Sequence, residues 1–313
     1  MTTPVVRTIK TQLECELHVL CKVQYKQLFQ NNPNVDRVHC IEKNISEVVV
    51  DLKKQNFDFV VDLQKNIRSH KLIKALKKPS ASFPKLNIEK WILVNLKINK
   101  LPKHHIVDRY FEAVKSLGIK NDNKGLDFFY PKEDKIYPSS INKDLANGYI
   151  AWVIGGQHFT KIMPAEKVAS IASKTKHNII LLGGKEDKKR GEEIISTSSN
   201  KSIYNACGNF SLSGSASLVE QSDVVICNDT GLMHIAAAFN KPTISVWGNT
   251  VADFGMYPYM PPNNERYIIS EIQGLNCRPC SKLGHSKCPK RHFKCMLDQD
   301  EELIINSINS FTK

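Results

Sequence analysis

The chain has 313 residues, with 44 Lys and Arg against 31 Asp and Glu for a formal charge of +13, and it is 41% hydrophobic with 15 Gly and 14 Pro. These values exclude a disordered, collagen-like or small disulfide-stapled protein and fit one large or two medium α/β domains. No apolar run approaches the roughly 18 residues of a membrane span, and MTTPVVRTIK lacks the apolar core of a secretory signal, so the sequence reads as cytoplasmic.

In chain order, LHVLC (17–21) reads as a strand, YKQLFQNNPNV as a short helix, DRVHCI as a strand and SEVVVDLKKQ as a helix. FDFVVDLQ then reads as a strand, RSHKLIKALKK as a helix stopped before Pro79, WILVNL (91–96) as a strand and RYFEAVKSLG (109–118) as a helix with a glycine stop. This β/α alternation implies a parallel sheet covered by helices. Residues 119–147 are polar and turn-rich and read as a linker. A second series follows: strand YIAWVIGG, a helix opened by Pro164, strand NIILLGG, helix 186–197, then helix, strand, helix, strand and loop across 218–250, and a terminal helix within 298–311. Two Rossmann-like domains are expected, 1–143 and 144–313, facing a cleft.

Charge is uneven: between Lys53 and Lys103 stand thirteen Lys or Arg and three acids, Asp58, Asp62 and Glu89. Such a stretch suits a nucleic acid, an anionic membrane face or a phosphorylated substrate, or is simply a solvated surface. Nucleic-acid binding predicts basic residues interleaved with stacking aromatics, which this stretch hardly shows, so no nucleic-acid partner is expected.

The most informative segment is VVICNDTGLMHIAAAF. A strand runs into Asn228-Asp229-Thr230-Gly231 and a helix begins at once, so its first amides and the Thr230 hydroxyl offer a seat for phosphate oxygens. Gly231 permits close approach, and His234, three residues on, faces the same opening. Asp229 would repel a diphosphate and is expected to cap the helix or hold a loop. Gly155-Gly156 and Gly183-Gly184 end two further strands; Lys161 can offset phosphate charge, and Glu186 and Asp187 can cap a helix or meet ribose hydroxyls. No GxxxxGK[ST] or GxGxxG pattern is present, which disfavours an ATPase or an ordinary dehydrogenase.

NDTGLMHIAAAFNKPTISVWGNT resembles the signature of glycosyltransferase family 9, the heptosyltransferases of the lipopolysaccharide inner core. AWVIGGQHFTKIMPAEKVASIA, LLGGKEDKKRGEEI, FDFVVDLQKNIRSHKLIKAL and CRPCSKLGHSKCPKRHFKCM resemble further family segments in the same order. The resemblance implies the GT-B fold and inverting transfer of heptose from an ADP-activated donor to a lipid-anchored, anionic glycan acceptor, with peripheral contact at the inner membrane face and no required cofactor. It places Thr230, Gly231, Met233 and His234 at the diphosphate with Asp229 in the motif, Lys161 against its charge and Glu186 near the ribose. Asp62, Gln64, Asn66 and Arg68 fall on the acceptor side.

The resemblance departs at the start. Family members open with a strand and an S-x-x-G-D or S-x-G-D loop before a T-T-P helix, whereas this sequence opens at Met1-Thr2-Thr3-Pro4. The aspartate regarded as catalytic base would precede Met1. The first domain is therefore expected to be truncated, with a hole in its sheet, and a misassigned start codon would explain both. His18 is a weak substitute base.

Of nine cysteines, Cys15, Cys21, Cys40, Cys207 and Cys227 are scattered and read as buried thiols. Cys277, Cys280, Cys288 and Cys295 form C-x2-C-x7-C-x6-C, which suits a structural zinc, free thiols or a disulfide.

Overall fold

The computed structural model describes residues 1–312. In chain order the elements are α1 (Thr3–Gln12), β1 (His18–Lys22), β2 (Arg37–Ile41), α2 (Val49–Lys54), β3 (Val60–Asp62), α3 (Ile67–Leu76), β4 (Ser80–Ser82), α4 (Asn87–Leu96) and α5 (Ile106–Phe111). There follow β5 (Ile150–Val153), α6 (Ala165–Ser173), β6 (Ile179–Leu182), α7 (Lys188–Thr197), β7 (Ile203–Asn205), α8 (Leu212–Gln221), β8 (Val224–Asn228), α9 (Gly231–Ala238), β9 (Thr243–Trp247), β10 (Tyr267–Glu271), α10 (Lys294–Leu297) and α11 (Glu301–Phe311). Two compact units result: residues 1–86 with 104–129, and residues 87–103 with 130–313. The division falls at 129/130 rather than at 143/144, and the segment around α4 joins the second unit.

The second unit holds one six-stranded parallel sheet in the order β10-β9-β8-β5-β6-β7. Every residue of β5, β6, β8 and β9 is buried, as expected of strands covered by helices on both faces. Ile150, Trp152, Ile179, Leu181, Val224, Ile226, Ile244 and Val246 share one core with Val168 and Ile171 of α6 and Ile304 and Ile308 of α11. Strand order reverses between β5 and β8, so the loops after these strands border the crevice where parallel α/β sheets take their ligands.

In the first unit the sheet is discontinuous. Strands β1 and β2 pair in parallel, β3 and β4 pair in parallel, and no pairing joins the two among the described residues. The unit is tied together by Arg7 of α1, whose guanidinium donates to Asp122 (2.8 Å), to Asp127 and to the carbonyl of Gly125 (3.0 Å).

Three expectations need correction. WILVNL is not a strand but most of α4, since Leu93 and Val94 pack with Leu101, Val251 and Phe254 while Ile88 and Trp91 point outward. Residues 119–147 are not a bare linker: Ile119, Leu126 and Leu145 are buried, and three short 3₁₀ turns occupy 132–147. Among the scattered cysteines, Cys207 and Cys227 are buried but Cys15, Cys21 and Cys40 only half-buried.

Candidate functional site

The ends of β5, β6 and β8 bring most of the second-domain residues together. Buried Asn228 closes β8 and donates to the carbonyls of Val153 (3.4 Å) and Gly155 (3.3 Å), while its carbonyl accepts from the Met163 amide (3.3 Å). It thus locks the β8 exit to the β5 exit. Asp187 does the same for the neighbouring glycines: it accepts from the Gly184 amide (3.0 Å) and from Arg190 (2.5 Å). Its side chain fills the space where Gly155 or Gly183 would otherwise carry a Cβ. These glycines exist because a carboxylate stands against the backbone. Glu186 is exposed beside Gly184.

Next to them, Lys161 Nζ lies 2.5 Å from Asp229 Oδ2, with side-chain exposures of 17% and 11%. The buried Thr250 hydroxyl donates to the same oxygen at 2.9 Å. Asp229 therefore joins the loops that carry Lys161 and Thr250, and it balances the Lys161 charge. Thr230 stands at the N-cap of α9 in extended conformation (φ −141°, ψ 173°) and makes no side-chain cap bond, and its buried Oγ1 has no hydrogen-bond partner among the described residues. Gly231 opens the helix with nothing within 4 Å of a Cβ built on it, in contrast to Gly155 and Gly183. The first amides of α9 have no intrahelical acceptor, and Gly231, which opens the helix, is exposed. His234 is half-buried one turn along, whereas Met233 is fully buried.

The first-unit residues form a separate group. Asp62 Oδ1 accepts from the amides of Gln64 (2.9 Å) and Lys65 (2.8 Å), and its Oδ2 accepts from the Ser69 hydroxyl (2.7 Å). Asn66 caps α3 reciprocally with Ser69. Both residues shape the turn after β3; Gln64 and Arg68 keep side chains without hydrogen-bond partners among the described residues. His18 is engaged on both nitrogens, by Glu16 (2.9 Å) and His39 (3.0 Å).

The cysteine segment is fastened by other groups. Arg278, its side chain 6% exposed, donates to the carbonyls of Gly248 (2.6 Å), Ile272 (2.5 Å) and Thr250 (2.9 Å) and pairs with Glu271 (2.7 Å). His285 exchanges bonds with Thr160, and the Cys280 amide donates to Asn249. Cys277 Sγ lies 3.7 Å from His292 Nε2, and burial pushes the Cys295 thiol up to about 12 within the core. Among the described residues no three His, Cys, Asp or Glu side chains converge as a metal-holding group. Asn228, Thr250 and Arg278 escaped the sequence reading as site-shaping residues; each stands within a motif singled out there, but its partners lie far away in sequence.

Two Rossmann-like units, the second with its crevice at the β5/β8 reversal, make the GT-B fold of glycosyltransferases. The structure of E. coli ADP-heptose lipopolysaccharide heptosyltransferase II matches over 99% of this chain and 94% of that one, with a TM-score of 0.71 and 16% identity. A family 9 glycosyl transferase from Veillonella parvula matches over 99% and 92%, with a TM-score of 0.77 and 18% identity. The chain belongs to glycosyltransferase family 9 (heptosyltransferase), whose model matches residues 46–290. Among characterised relatives, lipooligosaccharide heptosyltransferase 2 of Campylobacter jejuni is 28% identical over 140 residues, which is 44% of this chain and 41% of that enzyme. The chain thus aligns with about two fifths of the length of the first curated relatives it matches. Among the described residues no helix is long and apolar enough to cross a membrane.

Proposed function

We propose that the chain is an inverting glycosyltransferase that moves a heptose from an ADP-activated donor to a hydroxyl of the lipopolysaccharide inner core. The donor is held by the second unit, and the acceptor is met in the cytoplasm at the inner membrane face. The observation that carries this reading is the unobstructed start of α9 at Gly231, flanked by the unpartnered Thr230 hydroxyl and the Lys161–Asp229 pair. Family membership and the names of the relatives supply the sugar and the nucleotide.

In this reading the amides of Gly231 and Leu232, the Thr230 hydroxyl and His234 take the diphosphate oxygens, and the helix dipole favours their charge. Lys161 turns from Asp229 toward the phosphates, while Thr250 keeps Asp229 in place. Glu186, beside the glycine turn, reaches the ribose. The acceptor oxygen attacks the anomeric carbon from the face opposite the diphosphate. The bond from that carbon to the phosphate oxygen breaks, and its electron pair leaves on ADP. Stabilising that departing charge is the work of the α9 amides and Lys161. The hydroxyl proton goes to a general base; Asp187 is held in an ion pair with Arg190, and Asp229 lies on the diphosphate side, away from the attacking hydroxyl, so neither is assigned that task. Arg68, with no hydrogen-bond partner among the described residues, suits an anionic acceptor.

Calorimetric titration with ADP, using UDP and GDP as controls, tests the donor site. Selective ADP binding, weakened by His234→Ala in a folded protein, is expected; a folded sample indifferent to ADP overturns the assignment. ADP binding without transfer to an inner-core acceptor instead favours a nucleotide-sugar-binding homologue.

A further inference from the structure

Helix α4 is fastened to the second unit along one side only. Leu93 and Val94 pack with Leu101, Val251 and Phe254. At its ends, Asn87 accepts from Lys282 (2.7 Å), and Lys97 donates to the carbonyls of Pro279 (2.6 Å) and Cys277 (3.4 Å). The opposite side carries Ile88, Trp91 and Leu96, and Ile98 follows just beyond the end of the helix. Their exposures are 72%, 59%, 55% and 51%, high values for large apolar side chains. Of the three tryptophans this is the exposed one, since Trp152 and Trp247 are buried.

The surroundings carry an excess of cations, with Glu89 on the helix and Asp253, which accepts from Asn99 (2.7 Å), as the nearby acids. No acid occurs between Glu89 and Asp108, where Lys100 and Lys103 are exposed. None occurs between Glu271 and Asp298 either. That second stretch touches both ends of α4 through Lys282, Cys277 and Pro279, and it exposes Leu283 at 64%. Lys287, Lys290 and Arg291 on it are exposed as well.

We propose that this face of α4, with the 277–294 segment beside it, is a docking surface for an anionic lipid bilayer. A tryptophan and branched aliphatics on the outer side of a helix suit the boundary between headgroups and acyl chains, and the flanking lysines meet the headgroup charge. Charge complementarity selects this occupant over a second copy of the chain, because two such cationic faces would repel. The inference deepens the membrane-side part of the function proposed above and rests on it, but it does not depend on the donor.

The test is co-sedimentation of the full chain with vesicles of phosphatidylcholine alone or with phosphatidylglycerol added, free of any glycan acceptor, with ADP titrated on the same samples. Binding only to the phosphatidylglycerol vesicles is expected, with a blue shift in the emission of Trp91. An Ile88→Ser/Trp91→Ser variant should bind about tenfold more weakly, and neutralising Lys287 and Lys290 should cost about fivefold per charge. Both variants should retain the ADP behaviour of the parent. No vesicle binding overturns the proposal, as does binding that ignores both variants. Self-association abolished by Trp91→Ser, or Trp91 quenching by a single-stranded oligonucleotide without vesicle binding, assigns the face to another occupant. An ADP failure with vesicle binding intact rejects the donor reading alone.

Discussion

Replacing Lys161 by alanine exposes what the Lys161–Asp229 pair contributes. The carboxylate is 11% exposed and would keep a single donor, the Thr250 hydroxyl at 2.9 Å. Breaking a fully buried pair costs about 3–5 kcal/mol; with 17% and 11% exposure, some solvent reaches this one, and about 2 kcal/mol is expected. Asp229→Asn is milder, about 1 kcal/mol, because the stranded ammonium sits on a long stem that can reach water and Thr250 can still bond the amide oxygen. The double variant should cost less than the sum, with a coupling of about 1–2 kcal/mol. Urea unfolding followed by tryptophan emission measures this directly, since buried Trp152 and Trp247 report on the second unit. The same set should order ADP affinity. Lys161→Ala leaves an uncompensated carboxylate beside the diphosphate and should weaken ADP about tenfold, roughly 1.4 kcal/mol, with partial recovery in the double variant. Stabilities that add within about 0.5 kcal/mol would refute the coupling and with it the reading of Asp229 as the partner of Lys161.

The glycines separate structural need from ligand access. Gly155→Ala drives a methyl into the Asp187 carboxylate and should destabilise by about 1–3 kcal/mol in chemical denaturation. Gly231→Ala meets nothing within 4 Å and should fold normally yet lose ADP affinity by calorimetry, because the new methyl stands at the anion seat. Glu301 supplies a pH dependence. Burial pushes its carboxyl up, but Lys174, Lys167 and Ser170 together outweigh burial and bring it down to about 2. A depressed carboxylate gives stability that is complete above its unfolded value near 4.5 and fades as the pH falls toward 2. Glu301→Gln should flatten that part of the acid-denaturation profile, and an unchanged profile would remove Glu301 from it.

The second unit was legible because its strands are short apolar runs ending in glycine or Asn-Asp-Thr-Gly, a pattern that fixes both the parallel sheet and the crevice. Helix α4 reads as a strand for a physical reason: Trp91, Ile92 and Val94 favour strands, and Ile88 and Trp91 on the outer face hide the helical period carried by Lys90, Leu93 and Val94. Asp229 could be recognised as awkward for a diphosphate, but its long-range partners Lys161 and Thr250 could not be paired from sequence. The motif containing Asp62 and Asn66 was found, although hydrogen bonds show those two shaping a turn, a distinction that residue types alone do not carry.

The two halves differ in how their sheets are protected. Strands β5, β6, β8 and β9 are buried throughout, whereas β1 has no fully buried residue and, among the described residues, each sheet of the first unit has two strands. Amide exchange should follow this contrast, with the central amides of the six-stranded sheet released only by global opening and those of β1–β4 by cheaper local excursions. A nucleotide bound at the β5/β8 reversal would then slow exchange chiefly in the half that is already the slower, leaving the first unit as the part of the chain that responds most readily to its surroundings.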